Sequence, residues 1–282
     1  MVIDDYQKNA MALSGTGLTI ALDNITTIGA GPTSVTAQNG IQVAYGASGT
    51  ITNSNVSGNN YSGSGWSSAG ILLYQSGTVN ISNTTVTDNY VGIDVNDCDG
   101  SISNSTVSNQ NSESWDGIYL RKYQNTPMTF NVTGVTITGH GKTDSWGILV
   151  RANTGTITSS ITQCQVSNWG LGVYTREIAP GVVNVLTNNN DISGNTDGYY
   201  ANTTTAQDAT NNYWGTCPSV TGPATYFPYW STVSGTPGSF VFGGQIDNIT
   251  ASASENTICL GESVTLSAGN GSNFLWDNSL GL

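Results

Sequence analysis

Charge is what this 282-residue sequence has least of: only 9% of its residues are Asp, Glu, Lys or Arg. Lys and Arg total 6 against 18 acids, a net charge of −12. An ordinary soluble domain carries about 25% charged residues. Gly, Ser, Thr and Asn fill the missing places, so the polar surface is amide and hydroxyl, which suits an exposed, rigid, secreted scaffold. So few cations, in no basic stripe, exclude nucleic acid as a partner, because phosphates would go unneutralised. No apolar run approaches the roughly 18 residues of a membrane span. The opening MVIDDYQKNA lacks the basic-then-apolar pattern of a signal peptide. If the protein is secreted, a mature or internal segment of a longer chain is expected. The cysteines Cys98, Cys164, Cys217 and Cys259 form no CxxC pair, so a zinc site is not expected. Cys98 and Cys164 read as small buried residues, and Cys217 is free to pair with another cysteine. Apolar 3.6-residue periodicity is missing too, which excludes long helices. Low charge with abundant Gly and Ser could describe a disordered chain. Periodic aliphatic residues, with 7 Trp and 13 Tyr, argue against that.

What is present is a repeat. A glycine is followed by an apolar residue, any residue, and another apolar residue. The phrase occurs at Gly17-Leu18-Thr19-Ile20, Gly40-Ile41-Gln42-Val43, Gly70-Ile71-Leu72-Leu73 and Gly92-Ile93-Asp94-Val95. It continues at Gly117-Ile118-Tyr119-Leu120, Gly147-Ile148-Leu149-Val150 and Gly170-Leu171-Gly172-Val173, with a weaker copy at Gly198-Tyr199-Tyr200-Ala201. The spacing of roughly 22 to 30 residues is that of a solenoid. Between these phrases lies a second, Asn-x-x-Val/Ile-Ser/Thr-Gly/Asn/Asp-Asn, as in 53–59, 83–89, 104–110 and 189–195, with looser copies at 134–140 and 163–169. Each phrase is a short alternating strand, unable to bury a core alone. Alternation turns Ile41 and Val43 inward and Gln42 and Ala44 outward. Asn at the corners tolerates a left-handed backbone, and its amide can bond the equivalent Asn one coil away. A propeller would need a longer repeat, and a sandwich would show hairpin turns. The pattern therefore predicts an all-β, right-handed parallel β-helix solenoid. Seven or eight coils at about 4.8 Å make a rod of roughly 35–40 Å.

The span from Tyr6 to about Thr232 resembles the parallel β-helix repeat proteins of the pectin-lyase-like superfamily. Asp208-Ala209-Thr210-Asn211-Asn212-Tyr213-Trp214-Gly215, followed by Gly222-Pro223 and Pro228-Tyr229-Trp230, is similar to the last coil and cap of bacterial secreted members. On that reading residues 1–231 are a capped β-helix, with Trp214, Tyr226, Phe227 and Trp230 closing the apolar end. Residues 232–245, rich in Gly, Ser and Thr, read as a linker. Residues 246–282, with Thr257-Ile258-Cys259-Leu260-Gly261-Glu262-Ser263-Val264-Thr265-Leu266 and Phe274-Leu275-Trp276, resemble the first strands of an Ig-like module of secreted bacterial surface proteins. A whole sandwich needs about 100 residues. The fragment is thus completed either by more of its own chain or by homo-assembly through 246–282.

Function is sought where outward residues stack. Counted from the repeat glycines, one column reads Thr19, Gln42, Leu72, Asp94, Tyr119, Leu149, Gly172, Tyr200, and the next Ala21, Ala44, Tyr74, Asn96, Arg121, Arg151, Tyr174, Asn202. A candidate glycan-binding face follows: Tyr74, Asp94, Asn96, Tyr119, Arg121, Arg151 and Tyr174. Trp66, Trp115, Trp146 and Trp169 precede their glycines and border it. Lys122 and Arg176 fall in or beside the same region. Rings stack on apolar sugar faces, and arginine forks grip carboxylate or sulfate. The bland alternative is that the aromatics merely cover the sheet and the arginines pair with local acids.

On this fold a polysaccharide lyase uses a basic residue to abstract a proton and a cation to neutralise the neighbouring carboxylate. Arg121, Lys122 or Arg151 are candidate bases, and Asp94, Asp97 and Asp99 candidate calcium ligands. Cys98 breaks the EF-hand spacing, and acidic turn residues explain the stretch as well. A glycosidase needs paired carboxylates. Asn195-Thr196-Asp197-Gly198 and Gly139-His140-Gly141 are similar to polygalacturonase motifs but stand in reverse order, without the paired-Asp and Arg-x-Lys motifs, and read as chance products of the repeat. Sequons at Asn55, Asn80, Asn83 and Asn131 also arise from composition. The expectation is a non-catalytic extracellular or bacterial cell-surface scaffold, adhesive or filamentous, that binds a polysaccharide or other glycan. It needs no cofactor, calcium being the one candidate. The alternative is a polysaccharide-degrading enzyme, a lyase before a hydrolase.

Overall fold

The structure, a computed structural model, describes residues 1–109, 115–215, 218–247, 250–253 and 266–269. Three parallel sheets wind about one apolar core; successive coils add a strand to each, until the last coils meet the first sheet only through single bridges at Asp191 and Tyr213. The first sheet has 7 strands, from Val2–Ile3 to Gln165–Ser167. The second, here the face sheet, has 9, from Asn9–Ser14 to Val220–Thr221. The third also has 9, from Thr19–Asp23 to Ala224–Thr225. No helix among the described residues is long and apolar enough to cross a membrane.

The inward residues form ladders in register. Ile41, Ile71, Ile93, Ile118, Ile148 and Val173 succeed one another, as do Val43, Leu73, Val95, Leu120 and Val150. All are sealed from solvent. Cys98 and Cys164 are buried free thiols; Cys217 and Cys259 lie outside the described residues. The repeat glycine is a packing requirement rather than a turn residue. A Cβ on Gly92 would stand 2.5 Å from Val107 Cγ1 and 2.5 Å from the Gly117 carbonyl oxygen. Val107 belongs to the first sheet's inward ladder, which presses onto the face sheet at this point.

The corner from the third sheet to the first is two residues long in coil after coil: 24–25, 53–54, 83–84, 104–105, 134–135 and 163–164. Its leading residue is left-handed each time, at Asn24, Asn53, Asn83, Asn104, Gly134 and Gln163, with φ between 47° and 66°. Asn reaches this conformation at little cost, as the sequence suggests. The amide stacking falls on two other positions: the residue just after the left-handed one, as at Asn190 and Asn212, and the corner entering the face sheet, as at Asn59 and Asn89. Asn59 Nδ2 donates to Asn89 Oδ1 at 3.0 Å, and Asn190 Nδ2 to Asn212 Oδ1 at 2.9 Å. These asparagines are buried and satisfy backbone groups of neighbouring coils, which the solvent-facing corner residues do not need to do.

Register corrects the columns at two places. The first face strand is Asn9–Ser14, with Met11 paired to Ile41, so Ala10 stands where later coils have glycine. Gly17-Leu18-Thr19-Ile20 leads instead into the third sheet, where Thr19 pairs with Ser48. Near the other end Trp146 pairs with Leu171 and Leu149 with Tyr174, so the repeat glycine is Gly172 rather than Gly170. Tyr174 therefore continues the Asp94–Tyr119–Leu149 column, and Arg176 continues the Arg121–Arg151 column. Trp169, expected beside the face, is 1% exposed inside the rod, its Nε1 donating to the Ile137 carbonyl.

At the C-terminal end Trp214 is buried, and Tyr226 and Tyr229 pack against the core. Trp230 lies on the flank, its Nε1 donating to Asn189 Oδ1 at 3.2 Å and its ring stacked on Phe242. The stretch 232–245, read from composition as a linker, is most of a hairpin: Tyr229–Ser234 pairs antiparallel with Val241–Ile246. Its glycines serve the turn, Gly235 and Gly238 both having positive φ. The hairpin runs back along the two-residue corners. Gln245 bonds Asn211, Gly238 N and Phe240 N donate to Gln163, and Gly238 reaches Gly134. Beyond it, Thr250–Ala253 and Leu266–Gly269 form a short antiparallel pair. The rest of the proposed Ig-like segment and its assembly contacts lie outside the described residues.

Candidate functional site

The face sheet carries the candidate site because its strands end in outward polar and aromatic residues at equivalent positions. Five rings form a continuous ladder beside it: Tyr90, Trp115, Trp146, Tyr174 and Tyr200. Successive centroids lie 6.4, 6.2, 6.1 and 5.0 Å apart. Coil spacing sets this separation. Each ring partly covers its neighbour, and Lys142 Nζ sits 3.9 Å over Trp115. The ladder thus offers ring edges along its flank. Tyr74 pairs edge-to-face with Tyr45, nearer the N-terminal end. Trp66 is 77% exposed on the 62–68 loop, lining a cavity of about 450 Å³ with Lys8, Val35 and Tyr61.

Next to the ladder runs the column Tyr74, Asn96, Arg121, Arg151, Arg176. Arg121 holds Asp94 through two bonds, Nε–Oδ1 at 2.9 Å and Nη2–Oδ2 at 2.5 Å. Its guanidinium also lies 5.1 Å from the Tyr119 ring centroid and 5.9 Å from that of Tyr123. Burial works against the Arg121 charge, but Asp94, with Tyr119 and Tyr123, raises its pKa above the ordinary arginine value. Burial lifts Asp94 above the usual aspartate value, while the Arg121 charge and its two hydrogen bonds pull it part of the way back. Burial pushes the Tyr119 phenol up to about 12 against the pull of the Arg151 charge, so it stays neutral. Arg151 Nη1 donates to Tyr119 Oη at 3.3 Å.

Asp116 is the residue that the sequence reading missed. It begins the strand bearing Tyr119 and Arg121 and is 5% exposed. Burial, reinforced by the Asp94 charge and only partly offset by Arg121, raises its pKa well above the ordinary value. Its Oδ1 has no hydrogen-bond partner among the described residues. No motif marks it, because what distinguishes it is proximity to Asp94 across a coil.

The lyase candidates are dispersed. Arg121 is committed to Asp94. Lys122 is 1% exposed and points away from the face, its Nζ bonding Asp97 Oδ1 at 2.6 Å and Thr126 Oγ1 at 3.1 Å. Asp97 Oδ1 also accepts from the Tyr123 and Gln124 amides, and Asp99 Oδ1 from the Thr129 amide. Asp94, Asp97 and Asp99 therefore serve three separate partners. Among the described residues no group of three or more His, Cys, Asp or Glu is placed to hold a metal ion. His140 Nδ1 lies 3.2 Å from the Asn109 carbonyl, and Asp197 Oδ1 accepts from Ser219, so each has a partner of its own.

Three wound parallel sheets with an aromatic and arginine face define a right-handed β-helix protein. The match to known families agrees: the family model described as a right handed beta helix region covers residues 6–160 and 39–213, and the chain belongs to that family. No curated protein and no solved structure matches the chain significantly.

Proposed function

We propose that this protein is a non-catalytic extracellular scaffold, of the bacterial cell-surface kind, that engages a glycan along its face sheet. One observation carries the reading: an unbroken aromatic ladder runs coil by coil beside an in-register column of arginines. Such a track matches a linear polymer, whose sugars offer apolar edges and hydroxyls at regular intervals. Rigid rings supply contact area at low entropic cost, and the sheet holds them without rearrangement. Tyr74, Asp94, Asn96, Tyr119, Arg121, Arg151 and Tyr174 line or continue the track. Self-assembly through residues 246–282 is a separate part of the reading and rests on the resemblance of that segment to Ig-like strands.

Polysaccharide cleavage is the second reading, and one observation favours it. Asp94 and Asp116 are neighbouring carboxyl groups in unlike settings, one gripped by the Arg121 guanidinium and one buried with an unbonded Oδ1, a division that acid–base chemistry uses. Affinity electrophoresis of the native chain against neutral and acidic polysaccharides, with assays for unsaturated and reducing ends, separates the two. Retardation without new chain ends is the expected result. New ends from the native chain but not from Asp116→Asn would replace the scaffold with an enzyme. Unretarded migration in every polysaccharide would remove the glycan reading.

A further inference from the structure

We infer that Arg151 and Arg176 form a two-guanidinium subsite for a pendant carboxylate or sulfate group on the glycan. The inference rests on the glycan reading and specifies its charge. The two residues are directly paired on adjacent strands, about 4.8 Å apart along the rod. Like charges placed opposite each other on neighbouring strands repel and destabilise a sheet. Arg121, one coil earlier in the same column, shows the usual remedy, an acid from the preceding coil. The next two have none among the described residues.

Arg151 makes a single side-chain bond, to the neutral Tyr119 phenol, and its buried Nε has no partner. A buried donor left unbonded costs about 1–3 kcal/mol. The Arg176 side chain forms no ion pair or hydrogen bond with any described residue. Acids are not scarce in this chain, where they outnumber bases 18 to 6. The acid next in sequence, Glu177, is spent elsewhere. Its Oε1 accepts from the Val183 amide at 2.9 Å, and its Oε2 from the Thr204 amide at 2.5 Å and the Thr204 hydroxyl at 2.7 Å. Asp94 is held by Arg121.

Two cations in register thus lie beside Tyr174 and Tyr200, with one fork nitrogen desolvated and unused. An oxyanion fits this arrangement. A planar carboxylate or tetrahedral sulfate can take two parallel N–H bonds from one guanidinium and a charge-assisted bond from the next. A phenol or hydroxyl could bond there but would leave the repulsion in place. Because the whole chain is strongly acidic, a polyanion is repelled by the protein at large. Retention of one would therefore report a local site.

The test uses one glucan in three forms: dextran, carboxymethyl-dextran and dextran sulfate. Isothermal titration at moderate salt compares the native chain with Arg176→Gln and the double variant Arg151→Gln/Arg176→Gln. Thermal melting checks that each variant is folded, and Arg176→Gln carries the test if the double variant is not. The expected result is binding of at least one charged form, weakened at least tenfold by Arg176→Gln and further by the double variant. Which charged form binds distinguishes carboxylate from sulfate. Binding of charged and neutral forms alike, indifferent to both variants, overturns the subsite and leaves the glycan reading standing. Failure of both charged forms to bind overturns the subsite as well, and the polysaccharide panel above then decides the glycan reading by itself.

Discussion

Arg121 and Asp94 are joined across adjacent coils by two nearly parallel hydrogen bonds, with Asp94 4% and Arg121 21% exposed at the side chain. Removing one partner of such a pair strands the other. Asp94→Ala should destabilise the rod by about 3 kcal/mol, the lower end for a buried pair because Arg121 can still reach water. Urea unfolding measures this. The variant also leaves three arginines of the column without a carboxylate, so it should bind a charged glucan more tightly than the native chain.

Gly134 occupies the corner position that is Asn or Gln in the neighbouring coils. With φ at +66°, asparagine would fit the backbone there, but its Cβ would come 2.8 Å from Asn104 Oδ1, a side-chain end that can turn aside, and 3.0 Å from the backbone Cα of Gly238 in the returning hairpin, which cannot. Gly134→Asn should therefore spare the coils and lift the hairpin tip. Hydrogen exchange should speed up at Gly238 and Phe240, whose amides donate to Gln163, and remain slow along the face sheet.

Asp116 binds its proton more tightly in the folded chain than in the unfolded one, because burial raises its pKa. A raised carboxyl pKa gives stability that is full below the unfolded value, near pH 4, and is lost as pH rises through the folded value. Asp116→Asn should consequently gain on the native chain as pH rises from about 4 upward. Paired melting curves across that range read the difference; a gap that narrows in the variant's disfavour would contradict the burial argument.

Much of this architecture was legible in the residues. Alternation placed Ile41 and Val43 in the core because a period of two has one apolar side. Asparagine marked the left-handed corners because few other residues accept them. The columns slipped where local wording imitated the repeat. Gly170-Leu171-Gly172-Val173 offers two glycines in the right context, and only strand pairing shows that Gly172 faces the neighbouring ladder. Ala10 hides the first face strand by replacing the glycine. Trp169 went inside because Gly117, Gly139 and Gly147 leave room for its ring. The pairing of Asp94 with Arg121, and the burial of Asp116 beside them, depend on which coil lies above which. Spacing of 22 to 30 residues does not encode that at single-residue resolution.

The three corners of each coil also differ in how they tolerate change. The asparagine corner keeps its two residues, while the corner entering the face sheet ranges from 3 residues at 88–90 to 7 at 62–68. Inserted sequence therefore gathers along one edge of the rod, next to the aromatic ladder. Evolution, or a protein engineer, can splice new loops there and redraw specificity while the winding of the coils stays the same.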